Sequence, residues 1–302
     1  MTRDLTGYVV CRQWSIMKKA NILIIGESIN DSVPRAHELY ESGNIDGIRE
    51  LARFQDEKGA AYIDVNVGGR SAEFFADMVR AVQTATRKPL SIDTPDVRLA
   101  EAALRAYDDS VGMPILNSIS PLRTEMFELY AIKPFRPILL ISEKSDDGKA
   151  AACHTADETV AAARFLHAEA KKVGIPNSDM IFDPGIAPIG TDTDGNLVRL
   201  LTALKTIQDD PQFNGFHASV GLSNFTVMLP PKRKDGSLVK GPLESAFLTQ
   251  AIPLGLDFVI GSVKRSYEIL PADHPAMLCI DDCLSSSGFD SVVRVRKFYK
   301  DA

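Results

Sequence analysis

The sequence lacks the features that mark several protein classes. No apolar run reaches the roughly 18 residues that a membrane-spanning helix requires. Residues 1–20 contain no apolar core of the kind found in secretory signal peptides, so we expect a cytoplasmic protein. The 34 Lys and Arg residues are outnumbered by 40 Asp and Glu residues, which gives a net charge of −6. Because nucleic-acid binding normally needs a basic surface, this balance argues against a nucleic-acid partner.

Cysteine and histidine are also scarce, with four and five copies in 302 residues. Without a secretion signal, we interpret the cysteines as reduced thiols. Cys279 and Cys283 are separated by three residues, and no second Cys or His pair follows them. A metal site at this pair is therefore a weaker interpretation than two ordinary thiols.

Eight short apolar runs, separated by helical patterns, are the main feature of the sequence. Continuous Val, Ile and Leu runs are typical of buried parallel strands, which amphipathic helices usually connect. The runs begin roughly 23 to 44 residues apart, which is enough for one βα unit each. They cover residues 22–28, 62–67, 89–94, 113–120, 136–143, 180–185, 217–223 and 258–263.

Helical patterns between the runs complete the alternation. We expect Ser71 to cap the helix after the second run, and Thr94, followed by Pro95, to cap the helix after the third. Eight alternating units in about 250 residues favour an α/β fold of the (β/α)8 TIM-barrel type. A doubly wound open sheet is the alternative, because strand order cannot be read from sequence. We expect an N-terminal extension over residues 1–20 and a single barrel domain over residues 21–302.

Polar residues occupy the carboxyl ends of these runs, where a barrel of this kind has its active site. No run ends in Lys or His, which argues against a Schiff-base aldolase and a zinc hydrolase. His217 stands at the beginning of the seventh run, on the opposite side of the barrel. The polar residues at the run ends are Glu27, Asn30, Asp64, Asn66, Asp93, Asn117, Ser118, Ser142, Glu143, Asp183, Ser223 and Asn224.

A ring of buried carboxylates is costly unless cations or hydrogen-bond donors satisfy it. Asp64, Asp93 and Asp183 could hold magnesium, as in a metal-dependent lyase. A ligand rich in N–H groups is a second solution. The 2-amino-4-oxopyrimidine ring of a pterin presents an amino group beside a ring N–H, and one carboxylate accepts from both. Alternatively, some of these side chains only cap the helices that follow the strands.

Six motifs at the run ends together resemble the pterin-binding barrel family. They follow one another from residue 22 onward and read IIGESIN, DVNVGG, SIDT, ILNSIS, DPGIAPIG and VGLSNF. The resemblance is strongest to methyltetrahydrofolate:corrinoid protein methyltransferases and weaker to dihydropteroate synthases. The synthases hold a pyrophosphate leaving group with Lys and Arg near the DPG motif and the seventh strand. Neither DPGIAPIG nor GLSNFT contains a cation, and GLSN is typical of the methyltransferases, so the methyltransferase interpretation is preferred.

The resemblance implies roles for the matching residues. Asp183 would accept from the pterin amino group and ring N–H, while Asp93 and Asn117 would bind the other nitrogen edge. Asn224 would lie near N5, the atom that carries the methyl group. The catalytic residues that the resemblance implies are Asn224 and Asp93. No protein-bound metal is implied. The implied pterin-binding set is completed by Asp64, Asn66, Ser223, Gly221 and Glu27.

The resemblance also implies the reaction partners. These are tetrahydrofolate or methyltetrahydrofolate as substrate, a separate corrinoid protein that carries cobalamin, and a second copy of the chain in a homodimer. The sequence departs from the family at three places: Ser28 replaces the usual Arg, Val227 replaces a frequent Gln, and PLESAFL replaces a common Asn-Arg-Thr. The surface that binds the partner protein therefore does not follow from the resemblance. A folate tail or an acidic partner could meet four cations after the seventh strand, unless this is an ordinary solvated loop. They are Lys232, Arg233, Lys234 and Lys240.

VGLSNF also resembles the beginning of a hydrolase nucleophile elbow, G-x-S-x-G. Phe225 occupies the position of the second Gly, and no His stands at another strand end to activate Ser223. We therefore expect Ser223 to be a supporting or capping hydroxyl. A pterin-condensing synthase and a non-catalytic folate-binding module remain the alternatives to a methyltransferase.

Overall fold

The computed structural model describes residues 18–300, which form a closed barrel of eight parallel strands surrounded by helices. Residues 1–17, with Cys11 and most of the expected N-terminal extension, lie outside the described residues. The strands are β1 (Lys18–Lys19), β2 (Leu23–Asn30), β3 (Tyr62–Asn66), β4 (Leu90–Asp93), β5 (Ile115–Ile119), β6 (Arg136–Leu140), β7 (Glu143–Asp146), β8 (Lys149–Ala152), β9 (Ile181–Asp183), β10 (His217–Gly221), β11 (Leu256–Gly261) and β12 (Glu268–Ile269).

Around the barrel the strands follow the order β2-β3-β4-β5-β6-β9-β10-β11, and β11 pairs with β2 to close it. Each of the eight predicted runs contributes one barrel strand. The TIM-barrel prediction is therefore confirmed, and the open-sheet alternative is wrong because the two edge strands that it requires are hydrogen-bonded to each other. Closure brings the carboxyl ends of all eight strands to one mouth.

Helices connect most of the barrel strands, and two of them test the predicted caps. Ser71 accepts from the backbone N–H of Phe74 at 3.2 Å, as predicted. Thr94 does not cap the next helix; Asp96 does, because it immediately precedes the first helical residue and accepts from Arg98 N–H at 2.8 Å. The helices are α1 (Pro34–Glu41), α2 (Ile45–Glu57), α3 (Ala72–Gln83), α4 (Val97–Ala106), α5 (Ala156–Lys172), α6 (Asn196–Asp209), α7 (Leu222–Phe225), α8 (Lys240–Ala251), α9 (Pro275–Leu284) and α10 (Phe289–Lys300).

An apolar plug fills the interior of the barrel. Its five side chains come from five different strands, are at most 1% exposed, and contact one another, which requires them to point inward. They are Ile25, Ile115, Ile138, Ile181 and Phe258. The plug seals the barrel below its mouth, so the polar residues at the strand ends stand on a dry, packed base.

Two small sheets lie outside the barrel and were not predicted. Strands β7 and β8 form an antiparallel hairpin directly after the barrel strand β6. Strand β1 pairs with β12, so the part of the expected N-terminal extension that is described is joined to the segment after the last barrel strand. Among residues 18–300, every helix is too short or too polar to pass through a bilayer.

Candidate active site

Two carboxyl groups lie side by side at the mouth, on the adjacent strands β3 and β4. Asp64 is only 1% exposed, and its burial raises its pKa well above the usual value, with a further increase from the neighbouring carboxylate of Asp93. Burial also raises the pKa of Asp93, whereas hydrogen bonds from Asn66 and Asp64 lower it. Asp64 is therefore the member that retains a proton, and Asp93 is the one that ionises.

Two amide side chains orient Asp93. Asn66 Nδ2 donates to Asp93 Oδ2 at 2.9 Å, and Asn30 Nδ2 donates to the same oxygen at 3.4 Å. Each amide oxygen is already used locally, by Gly68 N–H at 2.8 Å and by Ser32 N–H at 2.9 Å. Because their oxygens are occupied, both amides must present N–H groups to Asp93.

Asn117 joins this group from the next strand. Asn117 on β5 is paired with Asp93 on β4. A hydrogen bond between the Asn117 side chain and Asp64 lowers the pKa of Asp64. The peptide bond between Asn117 and Ser118 is cis. The structure thus brings together four of the predicted site residues, from three neighbouring strands: Asp64, Asn66, Asp93 and Asn117.

Asp183 ends strand β9, farther round the barrel. It is 7% exposed and receives two hydrogen bonds, from Gly185 N–H at 2.8 Å and from the Ser219 hydroxyl at 3.3 Å. Burial raises the pKa of Asp183 to about 6, although these two donors and the Arg199 charge act in the opposite direction. A carboxyl with this pKa is largely ionised at neutral pH but remains short of donors.

Arg199 supports the loop that follows Asp183, and sequence reasoning missed it. It projects from α6, is 7% exposed, and donates to Pro184 O at 2.9 Å and to Gly185 O at 3.3 Å. A third bond reaches the Thr159 hydroxyl at 2.9 Å. Arg199 therefore fixes the backbone on which the Asp183 carboxylate depends.

Asn224 lies in the short helix α7, which begins directly after strand β10. Asn224 is exposed, and its side chain folds back over Gly221, the last residue of β10. A Cβ atom at position 221 would lie 2.9 Å from Asn224 Nδ2, which is closer than normal packing allows. Gly221 thus provides the space that the Asn224 amide occupies, a role that the sequence alone did not reveal.

Ser223 and Glu27 form a separate contact across the mouth. The Ser223 hydroxyl donates to Glu27 Oε1, which joins α7 to strand β2. This carboxylate accepts the hydroxyl proton that a catalytic His would take in a hydrolase, so Ser223 has a supporting position. Glu27 also lies near enough to raise the pKa of Asp64.

The structure also shows the surroundings of three other candidate sites: the possible magnesium ligands, the cysteine pair and the cationic loop. Among residues 18–300, no three His, Cys, Asp or Glu side chains gather as metal ligands, so the three aspartates do not form one magnesium cluster. Cys279 and Cys283 are buried thiols whose sulfurs face backbone carbonyls of α10. In the cationic loop, the Arg233 guanidinium stacks on Phe298 at 4.7 Å, whereas Lys232 and Lys234 are exposed.

A cavity of about 660 Å³ opens beside the first group of carboxyl and amide side chains. Asn66 and Asp93 line its inner end, and the turns before α3 and α4 form its outer wall. Asp183 and Asn224 do not line this cavity. The mouth therefore extends sideways between the ends of β3 and β4, with space beyond the carboxylates for the remainder of a larger ligand.

Two comparisons with known proteins found similarity in sequence. The sequence profile described as "Pterin binding enzyme" matches residues 35–261. A methylcorrinoid:tetrahydrofolate methyltransferase from Eubacterium limosum is 26% identical over 251 residues. The matched region covers 79% of this chain and 84% of that relative.

Proposed function

The chain belongs to the pterin-binding enzyme family, and we propose that it moves a methyl group between N5 of tetrahydrofolate and the cobalt of a corrinoid protein. One observation carries the proposal: the mouth holds buried carboxyl groups whose ionisation burial disfavours. Among the described residues, no cation acts on the pKa of Asp93, and Arg199 offsets only part of the effect of burial on Asp183. Such groups are suited to a ligand that brings its own N–H donors.

A reduced pterin provides those donors. Asp183 accepts from the 2-amino group and the adjacent ring N–H, which is a paired, charge-assisted contact. Asp93, with its amide partners, and Asn117 bind the opposite nitrogen edge. The protonated Asp64 beneath them donates to Asp93 and holds its charge in place.

Asn224 assists at N5 in either direction of transfer. When methyltetrahydrofolate is the donor, the N5 amine is a poor leaving group, and hydrogen bonding to N5 makes its departure easier. When N5 is the nucleophile, its lone pair must be free, and the amide oxygen then accepts from the N5–H while the lone pair attacks. A neutral amide fits both states, since it offers N–H and C=O groups at one position.

The corrinoid is a second substrate that the partner protein brings. In one direction Co(I) attacks the N5 methyl carbon, the carbon–nitrogen bond breaks, and N5 gains a proton. In the other direction N5 attacks the methyl carbon of methyl-cobalt, the electron pair of the carbon–cobalt bond returns to cobalt, and N5 releases its proton to solvent. The name of the E. limosum relative describes the second direction.

Binding and transfer can be measured separately. Titration with methyltetrahydrofolate, followed by mixing with cob(I)alamin, should show loss of the Co(I) absorbance at a rate that depends on the enzyme. Asn224→Ala should lower that rate about 100-fold, because a preorganised hydrogen bond at the reacting atom is lost, while folate affinity changes little. Tight folate binding without transfer to free or protein-bound corrinoid would instead support a binding module.

The exposed cations after β10 offer a test of the partner surface. We propose that Lys232 and Lys234 face the corrinoid protein, whereas Arg233 is occupied by its contact with Phe298. Replacing both lysines by Gln should weaken the dependence of the transfer rate on ionic strength. Arg233→Gln is the matched control and should leave that dependence unchanged. Equal salt dependence in all three proteins would contradict this assignment.

A further inference from the structure

The four-residue helix α7 cannot be stable by its own hydrogen bonds. A single turn is far shorter than the roughly 12 residues at which isolated helices become marginally stable. No side chain caps its first residue. The position of Asn224 must therefore be fixed by contacts between α7 and its neighbours.

The end of α7 is held by Thr226. Thr226 is 1% exposed, and its backbone N–H donates to the carbonyl of Asn224, the residue that precedes it by two positions. Its hydroxyl donates to Glu244 Oε1 on helix α8. A displacement of Thr226 would therefore displace the backbone of Asn224 directly.

Glu244 is fully buried, with 0% of its surface exposed. Arg265, from the segment after strand β11, places Nη1 2.9 Å from Glu244 Oε2, and its own side chain is 32% exposed. A buried carboxylate with one cationic partner gains little stability over an apolar pair of the same volume, because desolvation offsets the attraction. Oε2 accepts no hydrogen bond from residues 18–300, so the contact is an ion pair, which draws this oxygen toward Arg265 and leaves Oε1 for the Thr226 hydroxyl.

We propose that Glu244 is a positioning residue for methyl transfer: oriented by Arg265, it holds Thr226 and thereby sets the place of Asn224 at N5. This inference rests on the proposed function of Asn224. It assigns a part in the reaction to residues on α8 and after β11, outside the set of strand-end side chains. Displacements of about 1 Å at a reacting group can reduce rates about 100-fold, so the device has a measurable consequence.

Thr226→Val removes the hydroxyl and keeps the shape of the side chain. The rate of methyl transfer at saturating folate should fall 10- to 100-fold, with less than a threefold change in the folate Kd. Thr226→Ser, which retains the hydroxyl, should recover most of the rate. Thr206→Val, on the exposed face of α6, is the matched control and should behave as the wild type. An unchanged rate in Thr226→Val would overturn the proposal.

A double-mutant cycle separates positioning from a general loss of structure. In the Asn224→Ala background, Thr226→Val should cause no further decrease in rate, because the group that it positions is absent. Independent, multiplicative losses would refute the mechanism. Glu244→Gln should lower the rate less than Thr226→Val does, since the Gln oxygen can still accept from Thr226. Arg265→Gln should lower the rate about as much as Glu244→Gln.

A spectroscopic measurement keeps this test independent of the reaction. The side-chain NH2 resonances of Asn224 can be assigned by their loss in Asn224→Ala. They should shift or broaden in Thr226→Val and return in Thr226→Ser, whether or not the wild type transfers methyl groups. Absence of transfer together with this shift would refute the proposed function and support the positioning contact. Transfer without any shift would refute the positioning contact alone.

Discussion

Asp183→Asn should stabilise the folded protein at alkaline pH while it weakens folate binding. The two effects have opposite signs because the same buried carboxylate that awaits a ligand is costly in its absence. Burial raises its pKa to about 6 from an ordinary value of 3.8. The free protein therefore carries a charge that the surrounding structure disfavours, and an amide of nearly the same shape removes it.

The magnitude follows from the linkage between pKa and stability. A carboxyl whose pKa is raised on folding loses stability as pH increases from the unfolded pKa to the folded one. Here that window runs from about pH 4 to about pH 6, and a shift of about two units corresponds to roughly 3 kcal/mol above it. Asn keeps an oxygen for Gly185 N–H, and its NH2 can donate to the Ser219 hydroxyl, so we expect a net gain of about 1–3 kcal/mol at pH 8.

Binding should change in the other direction. The pterin amino group and ring N–H both donate to Asp183 in our proposal, and hydrogen bonds to a charged group contribute about 1.5–3 kcal/mol each. An amide can accept only one of the two and places an N–H against the other. The folate Kd should therefore rise between roughly a hundredfold and several thousandfold.

Urea denaturation of the ligand-free protein at pH 8 and pH 4, with calorimetric titration of folate at pH 8, measures both effects. The stability gain should be present at pH 8 and absent at pH 4. Asp77→Asn is the control, since Asp77 lies on the exposed face of α3 and its pair with Arg80 is worth less than about 0.5 kcal/mol. A variant that is equally destabilised at both pH values, or that binds folate normally, would refute the assignment of Asp183.

Three further outcomes follow from the same geometry. Gly221→Ala should push the Asn224 amide from its place and reduce the transfer rate at least tenfold with little change in folate Kd; an unaltered rate would contradict the contact. Arg199→Met should lower the free energy of unfolding by about 1–3 kcal/mol because two loop carbonyls lose their donor, whereas exposed Arg98→Met should change it by less than about 0.5 kcal/mol. Methyl transfer should withstand EDTA, and a loss that magnesium restores would revive the lyase alternative.

Most of the barrel could be predicted because its strands are local in the sequence. Each is a short apolar run, and a run buried on both faces needs no knowledge of its neighbours to be recognised. The hairpin of β7 and β8 could not be predicted in this way, since Lys149–Ala152 is a lysine followed by three alanines, which becomes a strand only by pairing with β7. The cap of α4 was assigned two residues too early because Thr94 and Asp96 both suit an N-cap, and only the backbone decides between them.

In the candidate site, the residues at strand ends could be predicted from the sequence, whereas two residues in helices could not. Asp64, Asp93 and Asn117 could be proposed because barrel topology brings strand ends together whatever the intervening helices are. Arg199 and Glu244 could not, since each lies in a helix and reaches the mouth through contacts that no local pattern encodes. Helical polar residues normally face solvent, and nothing in the sequence distinguishes these two from the others.

Arg199 and the pair of Arg265 with Glu244 explain how the mouth can hold carboxylates that no cation among the described residues neutralises directly. Within residues 18–300, no Lys or Arg forms an ion pair with Asp64, Asp93 or Asp183; instead, Arg199 bonds to the backbone beside Asp183 and Arg265 pairs with Glu244. A cation bonded directly to the carboxylates would lower the cost of burial but would occupy the oxygens that a pterin needs. With support from neighbouring residues, these oxygens are fixed in direction and each carboxylate keeps a lone pair for a ligand. In our proposal the folded protein thus gives up stability at its mouth, and the N–H donors of the folate recover it on binding.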